Sequence, residues 1–387
     1  MPDARRRPPS STDVAALAGV SQKTVSRVLN GEPYVTEEVR ERVLAAAREL
    51  GYRRNTAARA LHLGRFHRIG VASIGSSLYG PSSLLVALER QARQIGYAFA
   101  VAYAGEGAGV MNAVESLLAQ GVDAIVVSDP IDPLDDPING GQELHIDADV
   151  PVLSFRPIPG LAGPRVVVTG ASGVEAGRQA TEHLLGLGHA TVWHVAGPHR
   201  WPAARDRARG WREALAAAGA PEPPAQEGDW TPASGYAAGR VLAADPRVTA
   251  VFVANDDMAI GVLRALAEAG RAVPDEVSVV GMDDIPAAAY LSPPLTTIRQ
   301  DFEAIARHGL ALLAAEIERS PGEPGDPRDS GKPRESAEPA EPAEPEPGKP
   351  REPGERAEPR QHAEPGEPAG LPPHLVVRRS TAPPAKP

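Results

Sequence analysis

The sequence predicts an α/β core of two lobes preceded by a small all-α unit. Three observations carry this reading. From Arg68 onward short apolar runs alternate with helix-patterned segments at regular spacing, the signature of parallel α/β architecture. Residues 12–63 instead read as short helices separated by sharp stop and start signals. Residues 320–370 hold 13 prolines and repeated Glu-Pro pairs, such as Glu341-Pro342, and read as an extended, disordered insertion. A chain of 387 residues is long enough for two or three domains of ordinary size.

In the N-terminal unit, apolar Val14, Ala15 and Ala18 mark a first helix that Gly19 ends. Ser21 caps a second helix over 22–29, in which Val25, Val28 and Leu29 recur at helical spacing before Asn30-Gly31. Thr36 opens a third helix. Glu37 and Glu38 sit in its first turn, where the macrodipole favours anions, and Val39, Val43, Leu44, Ala47 and Leu50 form its expected buried stripe. A fourth segment, 55–63, has little apolar surface of its own and would be marginal as an isolated helix.

In the core, strands are expected at 69–72, 97–103, 124–127 and 150–155, with helices at 83–95 and 110–120. A second round begins at 165–168. It continues with helix 174–187, strand 191–196, helices 204–218 and 234–243, strand 250–254, helix 258–269 and strand 277–281. Ligands of open α/β sheets bind beyond the carboxyl ends of the strands, so the loops after Val71, Val127, Leu153, Ala196, Ala254 and Gly281 should line a cleft between the lobes. Residues 373–379 read as an edge strand.

Composition narrows the chemistry. The absence of cysteine removes disulfides, thiolate zinc sites, iron–sulfur clusters and cysteine nucleophiles, and a reducing compartment is permitted. No secretory signal is readable after Arg5-Arg6-Arg7, and no apolar run approaches the roughly 18 residues of a membrane span. The expectation is a soluble, cytoplasmic protein. The net charge of −10 conceals a divided chain: residues 1–68 carry 13 Lys/Arg against 7 Asp/Glu, and residues 320–370 carry the reverse, 7 against 13. The ten histidines show no paired metal spacing, no Gly-x-Ser-x-Gly elbow or phosphate-cradling glycine loop is present, and Gly105 to Gly109 is a weak, isolated glycine-rich turn. No catalytic constellation, metal site or cofactor is expected.

The first two helices, joined by the three-residue turn Gly19-Val20-Ser21, have the layout of a helix-turn-helix. The start of the second helix in such a motif meets base edges. Gln22 and Lys23 carry the groups that major-groove readout needs, and Arg27 follows one turn later on the same side. Ser21, Thr24, Ser26 and Asn30 suit phosphate contacts. Spacing alone leaves a plain helical bundle with a solvated face as an equal alternative.

The residues themselves narrow the choice. Asp13-Val14-Ala15, Ala18-Gly19-Val20-Ser21 and Thr24-Val25-Ser26-Arg27-Val28-Leu29-Asn30-Gly31 resemble the start of the lactose-repressor (LacI/GalR) family of bacterial regulators. Gly188-His189, Ala196-Gly197-Pro198, Gly228-Asp229-Trp230, Val253-Ala254-Asn255-Asp256, Val280-Gly281-Met282-Asp283-Asp284 and the run from Pro294 to Phe302 follow in family order. The resemblance covers nearly the whole chain except 320–370. It implies a helix-turn-helix domain over 1–54, a hinge helix over 55–66, a two-lobed periplasmic-binding-protein-like core over 67–319 that binds effector and dimerises, and a final core strand and tail over 371–387 after the insertion. Gly51 to Asn55 with Ala57-Ala58 matches the hinge entry, with Arg54 in place of the usual proline. By the same resemblance Asn55, Ala58 and Leu61 contact DNA, Leu61 as an apolar wedge in the minor groove; packing of Leu61 onto the core is the alternative.

For the core the resemblance implies a sugar-like effector. Arg207, Asn255 and Asp283 occupy hydroxyl-binding positions, and Trp230, Gln300 and Phe302 match residues near the ligand and the lobe crossover. Ile74 and Ala203 stand where serines would serve a simple galactoside, and Arg156 where an aspartate would. Asn255-Asp256 could equally be a helix cap, and Trp230 simple packing. The expected function is a transcriptional repressor that binds pseudo-palindromic operator DNA as a homodimer under effector control. The tail after 375–379 holds no heptad helix for a tetramer. A sugar-binding protein without DNA binding is the rival from another class. A sugar hydrolase would need paired cleft carboxylates, which the adjacent Asp283 and Asp284 can hardly supply.

Overall fold

The computed structural model describes residues 9–29, 31–52, 65–73, 77–103, 109–128, 150–158, 161, 165–319 and 371–384. Asn30, Asn55, Ala58, Leu61, Ile74, residues 105–108 of the glycine-rich turn and the insertion at 320–370 lie outside the described residues, and so do the expectations attached to them. The chain divides into two compact units, Met1–Phe66 and His67–Pro387.

In the first unit α1 (Ser11–Ala18) begins with a reciprocal box in which the Asp13 amide donates to Ser10 Oγ (3.3 Å) and the Ser10 amide to Asp13 Oδ2 (2.7 Å). Gly19 stops it in the left-handed conformation at φ +64°, which leaves the chain free to turn at once into α2 (Gln22–Leu29). The Thr24 amide donates to Ser21 Oγ (3.1 Å), the cap expected for α2. Helix α3 (Glu37–Glu49) closes a core of Val14, Ala18, Val25, Val28, Val43 and Ala46. Thr36 is the N-cap of α3, as expected, although its side chain makes no capping bond. One expectation needs correction. Leu44 is 40% exposed, because Val43, Ala46 and Ala47 define the buried stripe and Leu44 sits one residue off it.

The second unit contains two sheets. The first is all parallel, in the order β2 (Ala98–Tyr103), β1 (Arg68–Ser73), β3 (Ala124–Val127), β4 (Val152–Ser154), β5 (Val166–Val168). The helices of this lobe are α4 (Tyr79–Gln94), which starts four residues earlier than expected, and α5 (Gly109–Ala119). Strand β5 does not open the second lobe as the sequence pattern suggested. It pairs with β4 and completes the first sheet.

The chain then crosses over. Helix α6 (Gly173–Gly186) and helix α7 (Pro202–Ala217) flank a second sheet with α8 (Pro232–Ala243) and α9 (Asp256–Glu268). Its order is β11 (His374–Val376), β10 (Thr296–Arg299), β9 (Ser278–Asp283), β8 (Ala250–Val253), β6 (Trp193–Ala196), β7 (Gln226–Glu227), parallel except for the antiparallel edge strand β11. After β10 the chain returns to the first lobe as α10 (Phe302–Glu318), whose Ile305, Leu310 and Leu313 join the core of β1, β3 and α4. Helices α6 and α7 approach so closely that a methyl group on Gly177 would overlap the Arg207 carbonyl, and one on Gly210 the Val174 carbonyl. Among the described residues no helix is long and apolar enough to cross a membrane.

Candidate functional site

Between the two sheets lies a cavity open to solvent, with about 130 Å³ of room for water-sized molecules. Its lining comes from the carboxyl ends of strands in both lobes: Leu78 and Tyr79 beyond β1, Ser128 beyond β3, Phe155 and Arg156 beyond β4, Trp201 and Arg207 beyond β6, Trp230 beyond β7, Asn255 beyond β8, Asp283 at the end of β9, Gln300 and Phe302 beyond β10. All six core residues singled out in the sequence, Arg207, Trp230, Asn255, Asp283, Gln300 and Phe302, are brought together here.

Asp283 and Arg207 form the polar centre. Arg207 Nη2 lies 3.7 Å from Asp283 Oδ1, with side chains 11% and 8% exposed. Arg207 Nη1 donates to the Ala254 carbonyl (2.5 Å), and Gln300 Nε2 donates to Asp283 Oδ1 (2.8 Å). Burial pushes the Asp283 carboxyl up, against the opposing pull of Arg207 and Gln300, and lowers Arg207, against the support of Asp283. Each partner's charge thus offsets part of the burial penalty of the other.

The polar side chains are not fully satisfied. Arg207 Nε and Trp230 Nε1 are buried without a hydrogen-bond partner. A buried unpaired donor costs roughly 1–3 kcal/mol. Trp230 adopts φ +74°, a left-handed conformation costly for a bulky residue, and one edge of its ring lies where a side chain on Gly197 would be. The guanidinium of Arg207 sits 5.4 Å from its ring centroid. Asn255 serves as the cap of α9: its Oδ1 accepts from the Met258 amide (3.0 Å) and its Nδ2 donates to the Trp230 carbonyl (3.1 Å). The capping role and a place in the cavity wall thus coexist in one residue.

Arg156, on the first lobe, reaches across the cleft to Asp206 on α7 (2.8 Å), and Ala203 lines the cavity. Sequence reasoning missed Tyr79, Phe155 and Trp201. The rule that loops beyond strand ends line the cleft pointed to their segments, and the scarcity of aromatics in this chain, 4%, would have singled them out. Among the described residues no group of three or more His, Asp or Glu is placed to hold a metal ion.

In the N-terminal unit Ser21 lies exposed just before α2, Gln22, Lys23, Ser26 and Arg27 lie exposed on it, and Thr24 is half-buried. Ser21 Oγ contacts Thr24 Oγ1 (2.8 Å), Gln22 Nε2 donates to Ser11 Oγ (2.8 Å), and Arg27 pairs with Glu32 (3.5 Å). The face opposite Val25 and Val28 is polar and carries two cations, as a helix facing phosphates and base edges requires.

Residues 12–55 match the family described as bacterial regulatory proteins, lacI family, and residues 181–337 match a periplasmic binding protein-like domain. The lactose operon repressor of Escherichia coli (strain K12) is 35% identical over 308 residues, covering 78% of this chain and 82% of that protein. The HTH-type transcriptional regulator CelR of Thermobifida fusca is 36% identical over 332 residues, 84% of this chain and 95% of that one. Among solved structures, the lac repressor dimer bound to operator and the anti-inducer ONPF superposes with a TM-score of 0.71 at 28% identity, covering 97% of this chain and 100% of that chain. A complex of the transcriptional regulator CelR with cellobiose superposes with a TM-score of 0.58 at 29% identity, covering 96% and 99%.

Proposed function

The chain belongs to the lacI family of bacterial regulatory proteins, and from that premise we propose that it is a DNA-binding transcriptional repressor whose operator affinity is set by a small saccharide held between its two lobes. The cavity carries this reading: a buried Arg207–Asp283 pair, backed by Gln300, on the wall of a cleft lined from both lobes. Vicinal hydroxyls offer both donors and acceptors. They can bridge a guanidinium and a carboxylate in a way that a molecule lacking them cannot. Asn255, Phe302 and Trp230 complete the wall.

DNA is read by the start of α2. Gln22 and Lys23, with Arg27 a turn further on the same side, address base edges, while Ser21, Thr24 and Ser26 hold the backbone. Two copies acting as a dimer read a pseudo-palindromic operator, and the protein works in the cytoplasm, where that DNA is. The saccharide touches residues of both lobes, so it favours one lobe arrangement over another and shifts the population competent for operator. A binding protein without a DNA-binding role would leave the helix-turn-helix unit without a purpose. Gel-shift titration on the DNA upstream of the gene, with and without a panel of saccharides, tests the reading. Specific retardation that one saccharide changes supports it; no preference over random DNA overturns it.

A further inference from the structure

The proposed function asks for a saccharide, and the rest of the cavity wall speaks to which kind. The chain has 4 Trp, 7 Tyr and 5 Phe in 387 residues, yet Tyr79, Phe155, Trp201, Trp230 and Phe302 all line this one cavity. They are not equivalent. Trp230 is 5% exposed, with Arg207 over its ring and Gly197 against its edge, so it belongs to the polar end. Trp201, Tyr79 and Phe302 are only half-buried, and no described ring stacks flat on any of them: Trp201 meets Trp230 edge-on at 6.0 Å and 84°, and Tyr79 meets Phe302 edge-on at 6.2 Å and 69°.

These rings also stand on opposite walls. Trp201 precedes α7 in the second lobe, where its carbonyl accepts from the Ala204 amide (2.9 Å) and fixes its position. Tyr79 on α4 and Phe302 on α10 face the cavity from the first lobe, together with Phe155 and the apolar Leu78, Leu84 and Ile305. The hydrogen-bonding side chains Arg207, Asn255, Asp283 and Gln300 come from the second lobe and the segment that leaves it, whereas the first lobe adds Ser128 and Arg156, the latter already paired with Asp206. One pyranose ring gripped by that cluster leaves the facing aromatic walls without an occupant.

We propose that Trp201, Tyr79, Phe155 and Phe302 form a second subsite, which takes the other ring of a disaccharide joined through equatorial bonds. The inference rests on the saccharide reading above. Equatorial linkage keeps two pyranose rings in one flat ribbon, with C–H groups on both faces and hydroxyls along the edges. Such a ribbon fits between apolar walls, and an axial linkage bends it out of them. Aromatic faces then bury C–H surface while the hydroxyl rim stays with the polar groups.

Calorimetry on the full chain, with cellobiose and xylobiose compared with maltose, glucose, xylose and phenyl β-glucoside, tests the subsite. At least one of the equatorially linked pair binds about ten-fold or more tightly than its monosaccharide and than maltose. Trp201→Leu and Tyr79→Leu, checked for an unchanged unfolding temperature, erase that advantage and leave the monosaccharide affinity as it was; Trp201→Phe retains most of it. Equal affinity for monosaccharide and disaccharide, maltose as the tightest ligand, phenyl β-glucoside surpassing both disaccharides, or variants that weaken all sugars alike would each overturn the subsite. Gel shifts on the same preparations keep the two readings apart. Operator release by a monosaccharide leaves the regulator standing and removes only the subsite, whereas absence of specific DNA binding removes the regulator whatever sugar binds.

Discussion

Asp283 and Asp284, neighbours in the chain, send their carboxylates to different places. Asp283 lines the cavity beside Arg207 and Gln300; Asp284 takes Arg299 Nε on one oxygen and Arg378 Nη2 on the other, both at 2.6 Å. The split is made by the backbone, with φ +109° at Asp283 and +54° at Asp284, conformations that side-chain-bearing residues adopt only when neighbouring structure enforces them. The pair that a hydrolytic mechanism would want side by side is thus divided between a binding cavity and a strand anchor.

Asp283→Asn keeps an acceptor for Gln300 but removes the charge that faces Arg207. Operator binding is expected to survive and the response to effector to vanish. Asp284→Asn should do the reverse: effector affinity unchanged, and stability lower by about 1–3 kcal/mol through loss of charged hydrogen bonds that tie β9, β10 and the segment after β11. Calorimetric titration and thermal unfolding of the two variants separate these effects. Loss of effector binding in Asp284→Asn alone would reverse the assignment.

Two buried ionisable groups set opposite pH dependences. His194 is fully buried, its Nδ1 2.9 Å from the Phe252 carbonyl and its ring stacked on Phe252, and burial lowers it from 6.5 to about 4. The unfolded chain therefore takes up that proton first, and stability is lost as pH falls from 6.5 towards 4. Asp256, buried against Thr297 and the Ile285 amide, is pushed up by burial to about 8 from 3.8. Here the unfolded chain releases its proton first, so stability falls as pH rises from 3.8 through 8. The two oppose each other between 4 and 6.5. Above 6.5 Asp256 acts without that opposition. Urea unfolding should show stability declining from pH 6.5 to 8 by up to about 1.4 kcal/mol per pH unit, with a flatter profile in Asp256→Asn. A rise over that interval would show that Asp256 is ionised in the fold.

The close approach of α6 and α7 positions Arg207, because Gly177 packs on the backbone carbonyl of Arg207 itself. Gly210→Ala puts a methyl group onto the Val174 carbonyl and should cost about 1–3 kcal/mol or more, weakening the effector together with the fold. Gly186→Ala, near the end of α6 where a methyl group meets nothing within 4 Å, should be neutral or stabilising by up to about 1 kcal/mol. Unfolding curves of the two variants test the contrast. Equal effects would mean that helix propensity, and not the α6–α7 contact, governs both positions.

The alternation of strands and helices is legible in the sequence because each element carries its own period and its own stop signals. Which sheet a strand joins is not. The run Val166-Val167-Val168 looks the same in either lobe, and only pairing with Val152, Leu153 and Ser154 assigns it to the first. Strand β10 and helix α10 drew attention as a matching motif and not as elements, since Thr296 and Thr297 are polar residues that the sheet buries. At the site, Arg207 and Asp283 came from resemblance to a family. Trp201 and Tyr79 carry no motif, and their role emerges only when the chain's crossings between lobes bring them to one cavity.

The DNA-reading assignment makes a prediction about specificity. Gln22 and Lys23 are exposed in the first turn of α2, where a recognition helix meets base edges, whereas Ser26 lies a turn further on among groups suited to phosphate. Gln22→Ala and Lys23→Ala should therefore reorder the preferred half-sites, each losing about 1–3 kcal/mol of discrimination at one base pair. Ser26→Ala should weaken every site alike. Because Gln22 Nε2 donates to Ser11 Oγ (2.8 Å), reading a base means giving up that bond, and Ser11→Ala should sharpen the contribution of Gln22 instead of abolishing it. Binding to a randomised half-site library, read by sequencing for the wild type and the four variants, measures all of this at once. Uniform weakening by Gln22→Ala and Lys23→Ala, with the ranking of sites unchanged, would reduce α2 to a backbone clamp and move sequence readout elsewhere in the chain.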